Sequence, residues 1–137
     1  MKYSEKVEFL EGYTRSMARI QAYQAEYERW ETIGEKVTQT YSPAHGGGGS
    51  NDGKVARASL EMVEISRQIE DEISNAIKQR DAIKEAIATK CHKQRYADLL
   101  TYRYISGLKN HRIATIIGKE VKTVSNAMRR AISELDI

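Results

Sequence analysis

A chain of 137 residues supports one compact domain, or a small domain attached to an extended element, and excludes two large domains, because apolar burial grows with chain length. Charged side chains make up 30% of it and it has one proline, a composition that suits solvated helices better than a thick globular core. The net charge of +3 is uneven: residues 1–54 carry seven basic and eight acidic side chains, residues 55–90 six and seven, and residues 91–137 nine against four, so only the C-terminal part is expected to approach a polyanion.

The N-terminal stretch MKYSEKVEFLEGY has no apolar run of signal-peptide length, and nowhere do eighteen apolar residues follow one another, so no membrane partner is expected. With Cys91 the only cysteine, no intrachain disulfide can form, and a cytoplasmic setting fits.

From Tyr13 the apolar and aromatic residues Met17, Ile20, Tyr23, Tyr27, Trp30, Ile33 and Val37 recur in steps of three or four, which predicts a long helix with a coiled-coil seam. Residues 38–54, TQTYSPAHGGGGSNDGK, hold Pro43 and a glycine run that oppose helix propagation, so the chain is expected to reverse there in a loop. GGGGS also resembles an engineered linker, and the hairpin expectation stands with or without it. A second seam follows in Met62, Ile65, Ile69, Ile73, Ala76, Ile83 and Ile87, interrupted by Arg80. Neither helix buries its stripe alone, so an antiparallel hairpin over residues 1–90 is predicted. Its remaining apolar surface, with Tyr23, Tyr27, Trp30, Ile65, Ile69 and Ile73 as the seam, points to a homo-oligomer, a dimer first.

After Lys90 the heptad pattern stops. Tyr96, Leu99, Leu100, Arg103, Tyr104 and Ile105 predict a short amphipathic helix with a stop at Gly107. Residues 110–117 form the next helix, with Ile113, Ala114, Ile116 and Ile117 apolar and Gly118 immediately after. The last segment, residues 122–135, sets Val124, Met128, Ala131, Ile132 and Leu135 on one face. A small residue where two helices cross, a glycine that turns, and a β-branched anchor in the second helix are the requirements of a helix-turn-helix, and Ala114, Gly118 and Val124 meet them, with Ile113 and Met128 completing the motif core. The fold class is therefore all-α, a long coiled-coil hairpin followed by a helix-turn-helix domain over residues 91–137.

The stretch RYISGLKNHRIATIIGKEVKTVSNAMRRAI resembles region 4 of sigma-70-type factors, in its RY, GL, IA, G and TV positions, over about a third of the chain. A coiled-coil part with a Tyr-Ser-Pro and glycine-rich loop ahead of such a module is similar to phage-encoded transcriptional regulators of the ArpU and RinA type. The resemblance implies operator or promoter binding on double-stranded DNA in a bacterial host cell, with activation of phage late or packaging genes alongside host RNA polymerase. No separate domain in residues 1–90 carries the aromatic and basic cluster that melts promoters, so a complete sigma factor is not implied. The chain departs from the sigma pattern at Lys109, Asn110, His111 and Arg112, where sigma proteins often have serine and acidic residues. That helix is expected to meet phosphate, and no polymerase contact is carried over to it.

Within the motif, the start of a recognition helix reaches base edges, which makes Lys122, Thr123, Ser125 and Asn126 the readout candidates. Lys109, Arg112, Lys119, Arg129 and Arg130 are the phosphate candidates. Tyr96, Tyr102 and Tyr104 are expected in the core or at its rim rather than against bases. No cofactor, catalytic constellation or enzymatic activity is indicated. Gly48 to Lys54 spells GxxxxGK, but Val55 stands where a phosphate-binding loop needs Ser or Thr, and no metal-ligand spacing joins Cys91, His92, His45 and His111. Two other functions fit the same architecture: a small-terminase-like packaging protein that recognises DNA, and a coiled-coil adaptor that binds a protein partner. The first usually carries its DNA-binding motif at the other end of the chain, and the basic C-terminal part argues against the second.

Overall fold

The computed structural model describes residues 1–40 and 49–137, with side-chain burial for residues 1–36 and 53–137. Five helices and no strand occur among them: α1 (Tyr3–Thr40), α2 (Gly49–Lys90), α3 (Gln94–Tyr104), α4 (Asn110–Ile117) and α5 (Val121–Glu134). The first two pack together as a hairpin, so the all-α expectation holds. Of residues 38–54, where a loop is expected, residues 38–40 belong to α1 and residues 49–54 to α2. Once a helix is nucleated each further residue adds a hydrogen bond, and a glycine near its end costs only about 1 kcal/mol. Residues 41–48, with Pro43 and His45, lie outside the described residues.

The seam of the hairpin obeys a strict seven-residue repeat. In α1 the protected positions are Tyr13, Ile20, Tyr27 and Gly34 in one row and Ser16, Tyr23 and Trp30 in the other. In α2 they are Val55, Met62, Ile69, Ala76 and Ile83, with Ala58, Ile65, Glu72, Gln79 and Ala86. Register thus outranks residue type. Met17, Ile33 and Ile73, expected in the seam, are exposed, since each lies one residue off the repeat, beside Ser16, Gly34 and Glu72. Of the expected oligomer seam, Ile65 is fully buried and Tyr23, Tyr27, Trp30 and Ile69 are half-buried within the hairpin, which itself uses those side chains.

Two compact units divide the described chain, one made of residues 1–17 and 75–137, the other of residues 18–74. In the second unit, Arg19 and Glu72 form an ion pair across the hairpin at 3.1 Å, and Gly34 lets α1 approach Ala58. The first unit takes in residues on both sides of position 90, where the sequence suggests a boundary. Leu10 of α1 and Ile83 and Ile87 of α2 share one buried cluster with Tyr96, Leu100, Ile113, Val124, Met128 and Leu135, and Val7, Phe9 and Tyr13 pack against it. Three short helices alone cannot enclose that apolar surface, and the ends of α1 and α2 supply what is missing. A polar layer crosses the same unit, where the buried Ser16 hydroxyl accepts hydrogen bonds from Asn75 Nδ2 at 3.4 Å and Gln79 Nε2 at 3.2 Å.

Candidate nucleic-acid interface

The short helices form as their sequence directs. Tyr96, Leu99, Leu100 and Tyr104 are the buried stripe of α3, and the chain turns at Gly107, whose φ of 73° suits glycine. Tyr96 and Tyr104 lie in the core and Tyr102 at its rim. Gly118 ends α4 in the left-handed conformation, φ 68° and ψ 38°, its N–H bonded to the Ala114 carbonyl. Lys119 N–H donates to the same carbonyl at 3.0 Å, the bond that closes a left-handed glycine turn at a helix C-terminus.

Four motif-core candidates, Ile113, Ala114, Val124 and Met128, are buried, and Gly118 makes the turn. Ile116 and Ile117, expected on the apolar side of α4, are exposed, because the eight-residue helix has only Ile113 and Ala114 facing the core.

Helix α5 is sharply two-sided. Val124, Met128, Ala131 and Leu135, spaced by four, three and four residues, form its buried edge. Lys122, Asn126 and Arg129 repeat the same spacing on an exposed edge, with Thr123 and Arg130 exposed beside them. Ser125 departs from the expectation. It is half-buried, its hydroxyl accepts a hydrogen bond from Asn110 Nδ2 at 3.2 Å, and Asn110 Oδ1 accepts one from Arg103 Nη1 at 2.9 Å. Its position, a quarter-turn from the Val124 edge, brings it against the start of α4 rather than outward. The chain Arg103, Asn110, Ser125 therefore links α3, α4 and α5, a positioning device that the apolar pattern did not reveal.

The charge surplus of the C-terminal part is local. Outside residues 109–133 its cations have partners: Lys93 pairs with Glu134 at 3.6 Å and sits over the Tyr96 ring, Arg95 covers the same ring at 5.0 Å, and Arg103 holds Asn110 and lies over Tyr104. The acids there are occupied too, Asp98 by Gln94 and Asp136 by His92. Residues 109–133 carry six cations, Lys109, Arg112, Lys119, Lys122, Arg129 and Arg130, against one acid, Glu120. All six are exposed, and among the described residues none has a carboxylate within ion-pair distance. Such a cluster gains nothing within the fold and repels itself, which is the electrostatic condition for binding a polyanion.

Helix α5 has no cation in its own last turn. Lys6, from the first turns of α1, supplies one: its ammonium donates to the carbonyls of Ser133 at 2.9 Å and Leu135 at 2.7 Å. Neither charge nor apolar pattern in the sequence singles out Lys6. Extending the seven-residue repeat back from Tyr13 reaches it, the one signal in the sequence that could have found it.

Burial pushes the Cys91 thiol above its ordinary range, and a backbone interaction with Lys93 offsets only part of that effect, so the thiol stays protonated at neutral pH. Among the described residues no three His, Cys, Asp or Glu side chains gather as a metal site would require. No helix among them is long and apolar enough to cross a membrane. The GxxxxGK stretch, where described, is helical from Gly49 on. Comparison with protein-family models, with curated proteins and with solved structures finds no match for this chain.

Proposed function

We propose that the protein is a sequence-specific DNA-binding transcriptional regulator in which α5 enters the major groove, α4 and the Gly118 turn hold the backbone, and no enzymatic step is involved. One observation carries the reading: six exposed cations, on α4, α5 and the residues that flank them, have no carboxylate partner among the described residues, and they surround an outward edge of Lys122, Thr123 and Asn126. Asn126 has the amide that pairs bidentately with adenine, and Lys122 suits guanine. Lys109, Arg112, Lys119, Arg129 and Arg130 suit phosphate.

The resemblance to sigma region 4 and to phage regulators of the ArpU and RinA type supports a narrower role, activation of phage late or packaging genes together with host RNA polymerase in the bacterial cytoplasm. For self-association, the apolar side chains that the hairpin seam leaves over, Leu60 at 72% exposure and Val63, Ile33 and Ile73, support a homodimer that presents two reading heads.

The test is titration of the full chain with labelled duplex over a range of salt. Engagement of all five phosphate candidates gives a slope of log K on log salt of about −4 to −5. Absence of salt-sensitive binding to any duplex, in a folded preparation, overturns the reading.

A further inference from the structure

The exposed surface of α5 is polar except at one point. Val121, its first residue, is 47% exposed, and it is the only large apolar side chain of that helix left in solvent. Just ahead of it, across the Gly118 turn, Ile116 and Ile117 are also exposed. On either side of Val121 stand Lys119 and Lys122, both exposed. A branched aliphatic group left half in water keeps apolar surface whose burial against a partner is favourable. The partner that covers it must also satisfy the cations around it, which selects a polyanion with an apolar feature of its own. Duplex DNA has one in the major groove, the 5-methyl group of thymine.

We propose that Val121 is a specificity-determining residue that packs on a thymine methyl group, so that the preferred site carries thymine next to the bases read by Lys122 and Asn126. The proposal rests on the DNA-binding reading and deepens it. Hydrogen-bonding side chains distinguish donors from acceptors, whereas an aliphatic group at the helix start distinguishes thymine from the other bases by its methyl alone. Because the carbonyl and amide edges of thymine and uracil are the same, the methyl can be removed without touching any polar contact.

The experiment uses the full chain and duplexes selected by it from a random pool, with each thymine then replaced singly by uracil. Burial of one carbon group corresponds to about 0.8 kcal/mol, so uracil at the contacted position is expected to weaken binding about fourfold and to leave the salt slope unchanged. Val121→Ala is expected to bind the thymine and uracil duplexes equally while keeping the salt slope of the parent. Val121→Thr, which keeps the branched shape, is expected to retain a reduced preference for thymine. Salt-sensitive binding with no uracil-sensitive position overturns the assignment and leaves the DNA-binding reading standing, as does a Val121→Ala protein that keeps the full uracil penalty. A folded protein that binds no duplex at all overturns both.

Discussion

The Lys6 ammonium and the Leu135 carbonyl lie 2.7 Å apart, so the first turns of α1 cap the end of α5. The unpaired carbonyls at a helix C-terminus hold partial negative charge, and a cation bonded there stabilises both the helix and its seat. Lys6→Met keeps most of the aliphatic stem and removes the donors. It is expected to cost about 1–2 kcal/mol, measured by urea unfolding followed by circular dichroism, and an unchanged midpoint would remove this role.

Leu10 ties the same segment to the core. It is fully buried among residues of α2, α3 and α5, and Leu10→Ala is expected to lose roughly 2–5 kcal/mol. The complementary measurement is on residues 91–137 alone. Without Leu10, Ile83 and Ile87 that fragment is expected to lack a cooperative thermal transition, whereas a folded fragment would restore the domain boundary that the sequence led us to expect at residue 90.

That boundary marks the limit of what could be read from residues in order. The elements were legible because each has a local cause: apolar steps of three and four for α1 and α2, Gly107 and Gly118 for the ends of α3 and α4, and the spacing of Val124, Met128, Ala131 and Leu135 for α5. The outward set Lys122, Thr123 and Asn126 was legible for the same reason, as the complement of a buried edge. Contacts between distant parts have no local cause. Val7, Phe9 and Leu10 look like a ragged continuation of the first seam until α3 and α5 are seen to need them. Ser125 is a readout candidate by its place at the start of α5, yet a polar group there is also held inward when a partner such as Asn110 meets it. Ile73 and Met17 fit steps of three and four as well as the true seam does, and only the strict seven-residue repeat selects Glu72 and Ser16 instead.

Gly118 holds a backbone conformation that an L side chain adopts at a cost of about 1–2 kcal/mol. A Cβ there meets nothing within 4 Å, so the penalty is conformational and not steric. Gly118→Ala is therefore expected to lose about that much stability, and Gly118→Asn less, since asparagine tolerates the left-handed region. Equal losses in the two variants, read by thermal unfolding, would point to a clash instead.

The two kinds of contact assigned to α5 separate under mutation. Asn126→Ala is expected to weaken binding to the selected duplex by roughly 1–3 kcal/mol, to leave unrelated duplexes almost unaffected, and to relax preference at one base pair. Arg129→Ala is expected to weaken every duplex alike and to lower the magnitude of the salt slope by about one. Identical behaviour of the two variants across several salt concentrations contradicts the division of roles.

Tyr104 sets a pH dependence. Burial raises its phenol above the ordinary value, and the hydrogen bond and charge of Arg103 offset only part of that effect. The unfolded phenol loses its proton near pH 10, while the folded one resists until higher pH. Its contribution to stability is thus constant through the neutral range and lost as pH rises from about 10 through the raised folded value. Comparison of the parent with Tyr104→Phe in urea unfolding at alkaline pH is expected to show a steeper decline in the parent, and parallel declines would exclude this origin.

The Lys6 contact spans 129 positions of the chain, and this separation governs when the C-terminal helices can be completed. Helical proteins usually fold fast because their contacts are local, but here the cluster around Leu10 closes only after the strand of nascent polypeptide carrying α5 has left the ribosome. At about 5–20 residues per second, the first turns of α1 wait on the order of 10 s for their partners. Until then the side chains of α1 and α2 that belong to this cluster, Leu10, Ile83 and Ile87, lack the partners that α5 supplies, and a ribosome stalled before α5 yields a product without a closed core.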